Sequence, residues 1–174
     1  MAAVSEVASG ARSGAWTRYL GVSLVRSDAA RIAAQPALVR ALTDGYDRSA
    51  APEMPDAGGD WFEVREGGDT VGVALVRRDC PTPGQAALLA VATAREARGR
   101  ATSTKTVLAA ERKLAAEGYA PMLVRVPRTN GRGLYFMLRC GFTPVPASAR
   151  PDDASDATWF ARRGAIAGSD AADL

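Results

Sequence analysis

Arg98-Gly99-Arg100-Ala101-Thr102-Ser103-Thr104 is the stretch of this chain with the clearest chemical potential. It follows an apolar run, Ala87 to Thr93, and opens a helical pattern that continues to Glu117. A strand, a small-residue turn and a helix start in that order form a cradle for an anion. The reason is that the unpaired amide N–H groups of a helix's first turn point outward along its axis. Two flanking arginines, Arg98 and Arg100, suit a phosphate guest. Other chemistries are closed off. The chain has no histidine, and its two cysteines, Cys80 and Cys140, are far apart with no CxxC between them. A histidine-ligated metal site, a Ser-His-Asp triad and a Cys-His dyad are therefore excluded, and no metal is expected.

Elements must position that cradle, and bulk properties bound them. At 174 residues with 47% apolar residues, the chain is long enough for one domain with one core, expected over residues 15–163. Residues 1–14 and 164–174 are rich in Ala, Ser, Gly and Asp, have little to bury, and read as loosely ordered ends. The net charge of +3 comes from 22 basic and 19 acidic residues that are dispersed rather than blocked, so nucleic-acid binding is not expected. No apolar run approaches the roughly 20 residues of a membrane span, and the expected location is the cytoplasm.

Tyr19 to Val25 alternates as a strand, Asp28 offers an N-cap for a helix from Ala29, and Pro36 starts a second helix carrying Leu38, Val39 and Leu42. Asp44 to Asp60, with Pro52, Pro55 and Gly58-Gly59, reads as a loop. Glu66-Gly67-Gly68-Asp69 is a hairpin signal between strands Trp61 to Arg65 and Thr70 to Arg77. After the run Ala87 to Thr93, the cradle helix places Val107, Leu108, Leu114 and Ala115 on one face and stops at Gly118. Met122 to Val126 reads as a short buried strand and Asn130 to Cys140 as a helix closed by Gly141. Pro144 and Pro146 suit an edge strand after Phe142, and Thr158 to Arg162 supplies a last one. The order β, α, α, β, β, β, α, β, α, β, β defines an α+β fold with a mixed, largely antiparallel sheet and one parallel βαβ unit around the cradle.

These residues resemble the GNAT superfamily of acyl-CoA-dependent N-acyltransferases. The family signature is Arg or Gln, two residues, Gly, one residue, then Gly or Ala, between a strand and a helix; here it runs from Arg98 to Ser103. The family's Asn at the head of its next helix and Gly-Phe at that helix's end are matched by Asn130 and Gly141-Phe142, eleven positions apart. The resemblance covers Trp61 to Val145. It implies a sheet flanked by helices, acetyl-CoA or another acyl-CoA as cosubstrate, and a CoA site formed by Val91, Ala92, Thr93, Arg98, Gly99, Arg100, Ala101, Thr102, Ser103, Thr104 and Asn130. The chain departs from the family where paired glycines become Ala101 and Ser103, each adding a Cβ to the approach. The family's general-acid tyrosine position, four before Gly141, is Met137. Tyr135 lies two residues earlier, about 200° around a regular helix, and substitutes only if that helix starts irregularly.

The reaction implied is acyl transfer, of acetyl or another short acyl group, to an amine of a small molecule or amino acid. It needs a neutral amine, stabilisation of the tetrahedral oxyanion and a tolerable leaving thiolate. Glu63, mid-strand and opposite in facing to Phe62 and Val64, is the candidate base; the competing reading is a solvated strand charge. Asp47, Glu53 and Asp60, with Tyr46 and Trp61, border the loop expected to wall the acceptor, where each also reads as a turn or rim residue. Cys140 reads as core and Cys80 as a turn residue. The rival functions are a GNAT-fold protein that binds acyl-CoA or a carrier-protein phosphopantetheine without transfer, and a thioester hydrolase or decarboxylase. Trp159-Phe160 fits either a homodimer contact or packing within one chain.

Overall fold

The computed structural model describes residues 14–44, 58–146 and 156–162. Expectations for residues 1–13 and 164–174, and for Tyr46, Asp47 and Glu53, lie outside the described residues.

The strand expected at Tyr19 to Val25 is a hairpin: β1 (Ala15–Tyr19) and β2 (Val22–Ser27) run antiparallel. Leu20 and Gly21 between them have φ of 48° and 83°. Two successive left-handed residues are what a tight hairpin turn requires, and Gly21 supplies one of them freely. α1 (Ala29–Ala33) starts where Asp28 Oδ1 accepts the Arg31 amide at 2.7 Å, and α2 (Pro36–Thr43) carries Pro36 in its first turn. β3 (Asp60–Glu66) and β4 (Asp69–Arg78) turn through Gly67 and Gly68, at φ 63° and 97°. β5 (Ala86–Thr93), a 3₁₀ turn at Arg95–Ala97, α3 (Thr102–Ala116) and β6 (Met122–Pro127) form the parallel unit. α4 (Gly131–Arg139), β7 (Phe142–Pro144) and β8 (Ala157–Arg162) complete the fold.

The eight strands form one sheet in the order β1-β2-β3-β4-β5-β6-β8-β7, and β5–β6 is its parallel pair. The fold is thus α+β, with a largely antiparallel sheet between helices. Strand alternation sorts the core. Val22, Leu24, Phe62, Val64, Ala74 and Val76 pack toward Val107, Ala110, Leu114 and Met137 of α3 and α4. Trp61, Val73 and Leu75 pack against Ile32, Leu38 and Leu42 of α1 and α2. The buried face of α3 is Thr102, Thr106, Val107, Ala109, Ala110 and Leu114 rather than the face expected to include Leu108 and Ala115. Leu108 lies one residue, about 100°, beyond Val107 and is only half-buried. Trp159 and Phe160 are 1% exposed, Trp159 against Ala87, Leu123 and Val145 and Phe160 in the main core, so both pack within one chain.

Candidate functional site

β5 and β6 part company halfway along. They pair only over Ala86–Leu88 with Met122–Val124. Past that point β5 stays with β4, Ala90 opposite Leu75 and Thr93 opposite Gly72, while β6 stays with β8 through Val126 and Pro127. Leu88 faces Val76 and Ala90 faces Leu75, so Leu89 is an extra residue, a bulge that bends β5 as it leaves β6. Gly72 permits the close β4–β5 approach, because a Cβ there would lie 2.5 Å from the Ala92 carbonyl oxygen.

The gap is a narrow apolar cleft of about 70 Å³ whose walls include Leu88, Leu89, Val91, Val126, Phe136 and Met137. It opens into a mouth of about 260 Å³ lined by Asp44, Thr93, Arg98, Ser103, Asn130 and Arg132, among others. Along the gap, the β6-facing edge of β5 from Leu89 to Thr93 has no strand partner among the described residues, which leaves backbone groups for an extended ligand to pair with.

The first turn of α3 faces this mouth. Its N-cap, Ala101, is left-handed at φ 58°, and no side chain among the described residues caps the helix. The side chains of that turn are engaged elsewhere: Ser103 Oγ lies 2.6 Å from Thr93 Oγ1, and Thr102 Oγ1 donates to Glu66, which also pairs with Lys105 at 2.7 Å. The Lys105 hydrogen bond holds the Glu66 carboxyl below its usual pKa. The first-turn amides are therefore left for an external acceptor, as an anion cradle requires. Arg98 donates to Asp44 Oδ2 at 2.6 Å and to the Thr93 carbonyl at 3.4 Å. At the head of α4, Asn130 Oδ1 accepts the Gly133 amide at 2.8 Å. A Cβ on Gly133 would lie 2.7 Å from Asn130 Nδ2 and 2.9 Å from Val126, so any larger residue would push these side chains aside where the helix seats beside the cleft.

Of the expected CoA-site residues, Val91, Ala92, Thr93, Arg98, Ser103 and Asn130 line the mouth together. Gly99, Arg100, Ala101, Thr102 and Thr104 form the adjoining turn and helix start. The two candidate catalytic residues lie elsewhere. Tyr135 is 64% exposed on a regular α4 and stacks with Arg139, so it lines no part of the cleft; the irregular start that would have turned it inward is absent. Glu63 is on the α1–α2 face of the sheet, 2% exposed, and is not a solvated charge. Its carboxylate accepts from Gln35 at 3.0 Å, Arg65 at 2.6 Å and Thr70 at 3.3 Å, and pairs with Arg31 at 3.0 Å. Burial alone would raise its pKa, but the Arg65 and Gln35 hydrogen bonds and the Arg31 charge outweigh burial and hold it below the usual value. That is a structural carboxylate, saturated with donors and away from the cleft.

Met137, by contrast, is 1% exposed and lines the cleft, so the position that the family resemblance gives to a phenol borders it. Cys140 packs at the core's edge, its thiol pKa raised by burial. Asp60 pairs with Arg26 and Arg78 at the start of β3, and Trp61 is core. The sequence reading missed Asp44, Arg132, Gly133, Phe136 and the Leu89 bulge. Arg132 carried a signal, since a cation in a helix's first turn opposes the helix dipole unless an anion is also present. Asp44 carried none, because it meets Arg98 only through the fold.

A splayed mixed sheet beside an uncapped helix start is the GNAT architecture. The chain belongs to the Acetyltransferase (GNAT) family, which it matches over residues 28–142. No curated protein matches the chain in sequence. Among solved structures, a probable GNAT-family acetyltransferase from Chromobacterium violaceum is 19% identical with a TM-score of 0.60, over 92% of this chain and 93% of that one. The PaiA N-acetyltransferase from Thermoplasma acidophilum in complex with coenzyme A is 12% identical with a TM-score of 0.59, over 82% and 99%. A GNAT-family acetyltransferase from Elizabethkingia anophelis with acetyl-CoA bound is 11% identical with a TM-score of 0.54, over 82% and 95%.

Proposed function

We propose that this protein transfers a short acyl group, acetyl in the simplest case, from CoA to the amine of a small molecule or amino acid. The carrying observation is the meeting, among the described residues, of two backbone surfaces: the edge of β5 from Leu89 to Thr93, without a strand partner, and the uncapped first turn of α3. The first suits an amide-bearing pantetheine arm, the second a pyrophosphate, and Arg98, Arg100 and Arg132 add positive charge. The solved CoA and acetyl-CoA complexes of the two relatives support the same donor.

In this reading the thioester reaches the bulge end of the cleft. The neutral amine attacks the carbonyl carbon, and the oxyanion that forms is met by backbone N–H groups of β5. Collapse breaks the C–S bond, the thiolate leaves, and the ammonium proton passes to solvent. Met137 donates no proton, so the thiol departs as its anion. An alkyl thiol with a pKa near 8.5 tolerates this, at a cost in rate.

Thiol release from acetyl-CoA, followed with a panel of amines, tests the proposal: release that depends on an added amine supports it. Met137 favours one rival, a CoA binder without turnover, and that rival predicts no release with any amine. Release without amine would identify a hydrolase.

A further inference from the structure

Asp44 and Arg98 are 54 residues apart in sequence and close a contact across the cleft mouth, Arg98 Nη2 to Asp44 Oδ2 at 2.6 Å. Asp44 ends α2, and Arg98 follows the 3₁₀ turn that leads into the cradle. Both residues line the mouth, and both also line a second hollow of about 210 Å³ with Arg40 and Arg95. The ion pair and Ala41 therefore border both spaces, and Glu96 lines the second. Asp44 is the one carboxylate among the described residues lining the cleft.

We propose that Asp44 is an intramolecular competitor for the donor's phosphates. It occupies Arg98 in the empty protein, surrenders it when CoA binds, and recaptures it as CoA leaves. The proposal deepens the donor reading above and rests on it. The geometry meets the three conditions such a competitor needs. A carboxylate and a phosphate oxygen are equivalent partners for a guanidinium, so Arg98 can bond either but cannot serve both fully. The contact is exchangeable, because the side chains are 42% and 50% exposed and an ion pair in water is weak. Asp44 also stays charged to compete: the Arg98 hydrogen bond, with Arg95 and Arg132 nearby, holds its pKa below the ordinary value. The consequence is a donor site tuned for release. CoA binds less tightly than the cradle alone allows, and product leaves faster.

The test is a double-mutant cycle read by calorimetric titration with CoA and by stopped-flow CoA dissociation, at low ionic strength, on the full chain. Asp44→Asn should tighten CoA binding about two- to fivefold, the range open to a single exposed ion pair, and should slow dissociation by a similar factor. In an Arg98→Gln background the same substitution should have no effect. That arm separates competition for Arg98 from the general benefit of removing a negative charge near a polyanion, which would persist without Arg98. Unchanged or weaker binding by Asp44→Asn overturns the proposal, and so does equal tightening in both backgrounds. Failure of the wild-type chain to bind CoA would instead overturn the donor reading itself, and it is seen before any variant is made.

Discussion

Glu63→Gln separates a catalytic carboxylate from a structural one. Glu63 Oε1 receives Gln35 Nε2 and Arg31 Nε, and Oε2 receives the Arg65 guanidinium and the Thr70 hydroxyl. Glutamine has the same shape, but its amide NH₂ must replace one of these oxygens and then faces donors whichever way it turns. At least one charge-assisted interaction is lost, worth about 1.5–3 kcal/mol. The full 3–5 kcal/mol of a broken buried pair does not apply, because Arg31 at 62% and Arg65 at 31% exposure can turn to water. For a chain of this size that loss lowers the melting temperature by roughly 5–10 °C.

The pH dependence has a definite sign. The folded carboxyl sits below its unfolded value of 4.5, so its stabilisation is complete above that value and is lost as the pH falls through the folded pKa. The melting difference between wild type and variant should be full at neutral pH and shrink in acid. Calorimetric melting from neutral to acid pH, with CoA titration and thiol release on the folded fraction, measures both sides. The structure predicts a destabilised protein with unchanged CoA affinity and unchanged turnover per folded molecule. A variant as stable as wild type with turnover abolished would refute the structural assignment and restore Glu63 as a base.

Three further substitutions probe the cleft. Gly133→Ala should gain about 1 kcal/mol of helix propensity yet destabilise overall, because its Cβ meets Asn130 and Val126 under 3 Å and overpacking costs about 1–3 kcal/mol; a more stable variant in urea would show that α4 seats more loosely than described. Ala101→Gly removes a left-handed alanine, a strain of about 1–2 kcal/mol, against a glycine entropy cost of about 0.5–1 kcal/mol. A higher urea midpoint and tighter CoA binding are expected, and a loss of stability would contradict the αL assignment. Met137→Tyr places a phenol at the cleft wall and should raise amine-dependent thiol release about tenfold or more if departure of the thiolate limits the rate. A fall in turnover with folding intact would show instead that the ring blocks the acyl group.

Local signals were read well from sequence and contacts made at a distance were not. Asp28 as a cap, Pro36 in a first turn, Gly67-Gly68 as a hairpin and Asn130 at a helix head are each decided within a few residues, and each stands as expected. The strand, turn and helix start around Arg98 to Thr104 were legible for the same reason. The β1–β2 hairpin was missed because Gly21 sits inside an alternating run whose pattern a single strand also explains. Glu63 escapes a sequence reading because three of its four donors come from α1, the α1–α2 junction and β4; Arg65 alone lies on β3, two positions along the same strand. The splay between β5 and β6 and the Leu89 bulge depend on register against the neighbouring strands, which strand composition does not encode.

In the proposed donor site the β5 edge and the first turn of α3 bind an acyl-CoA. Calorimetric titration of the full chain with acetyl-CoA, alongside Arg98→Glu, tests it most directly. One site per chain is expected in the wild type and at least tenfold weaker binding in the variant, where a carboxylate replaces a guanidinium at the cradle's edge. No heat of binding, or an affinity that Arg98→Glu leaves unchanged, would contradict it.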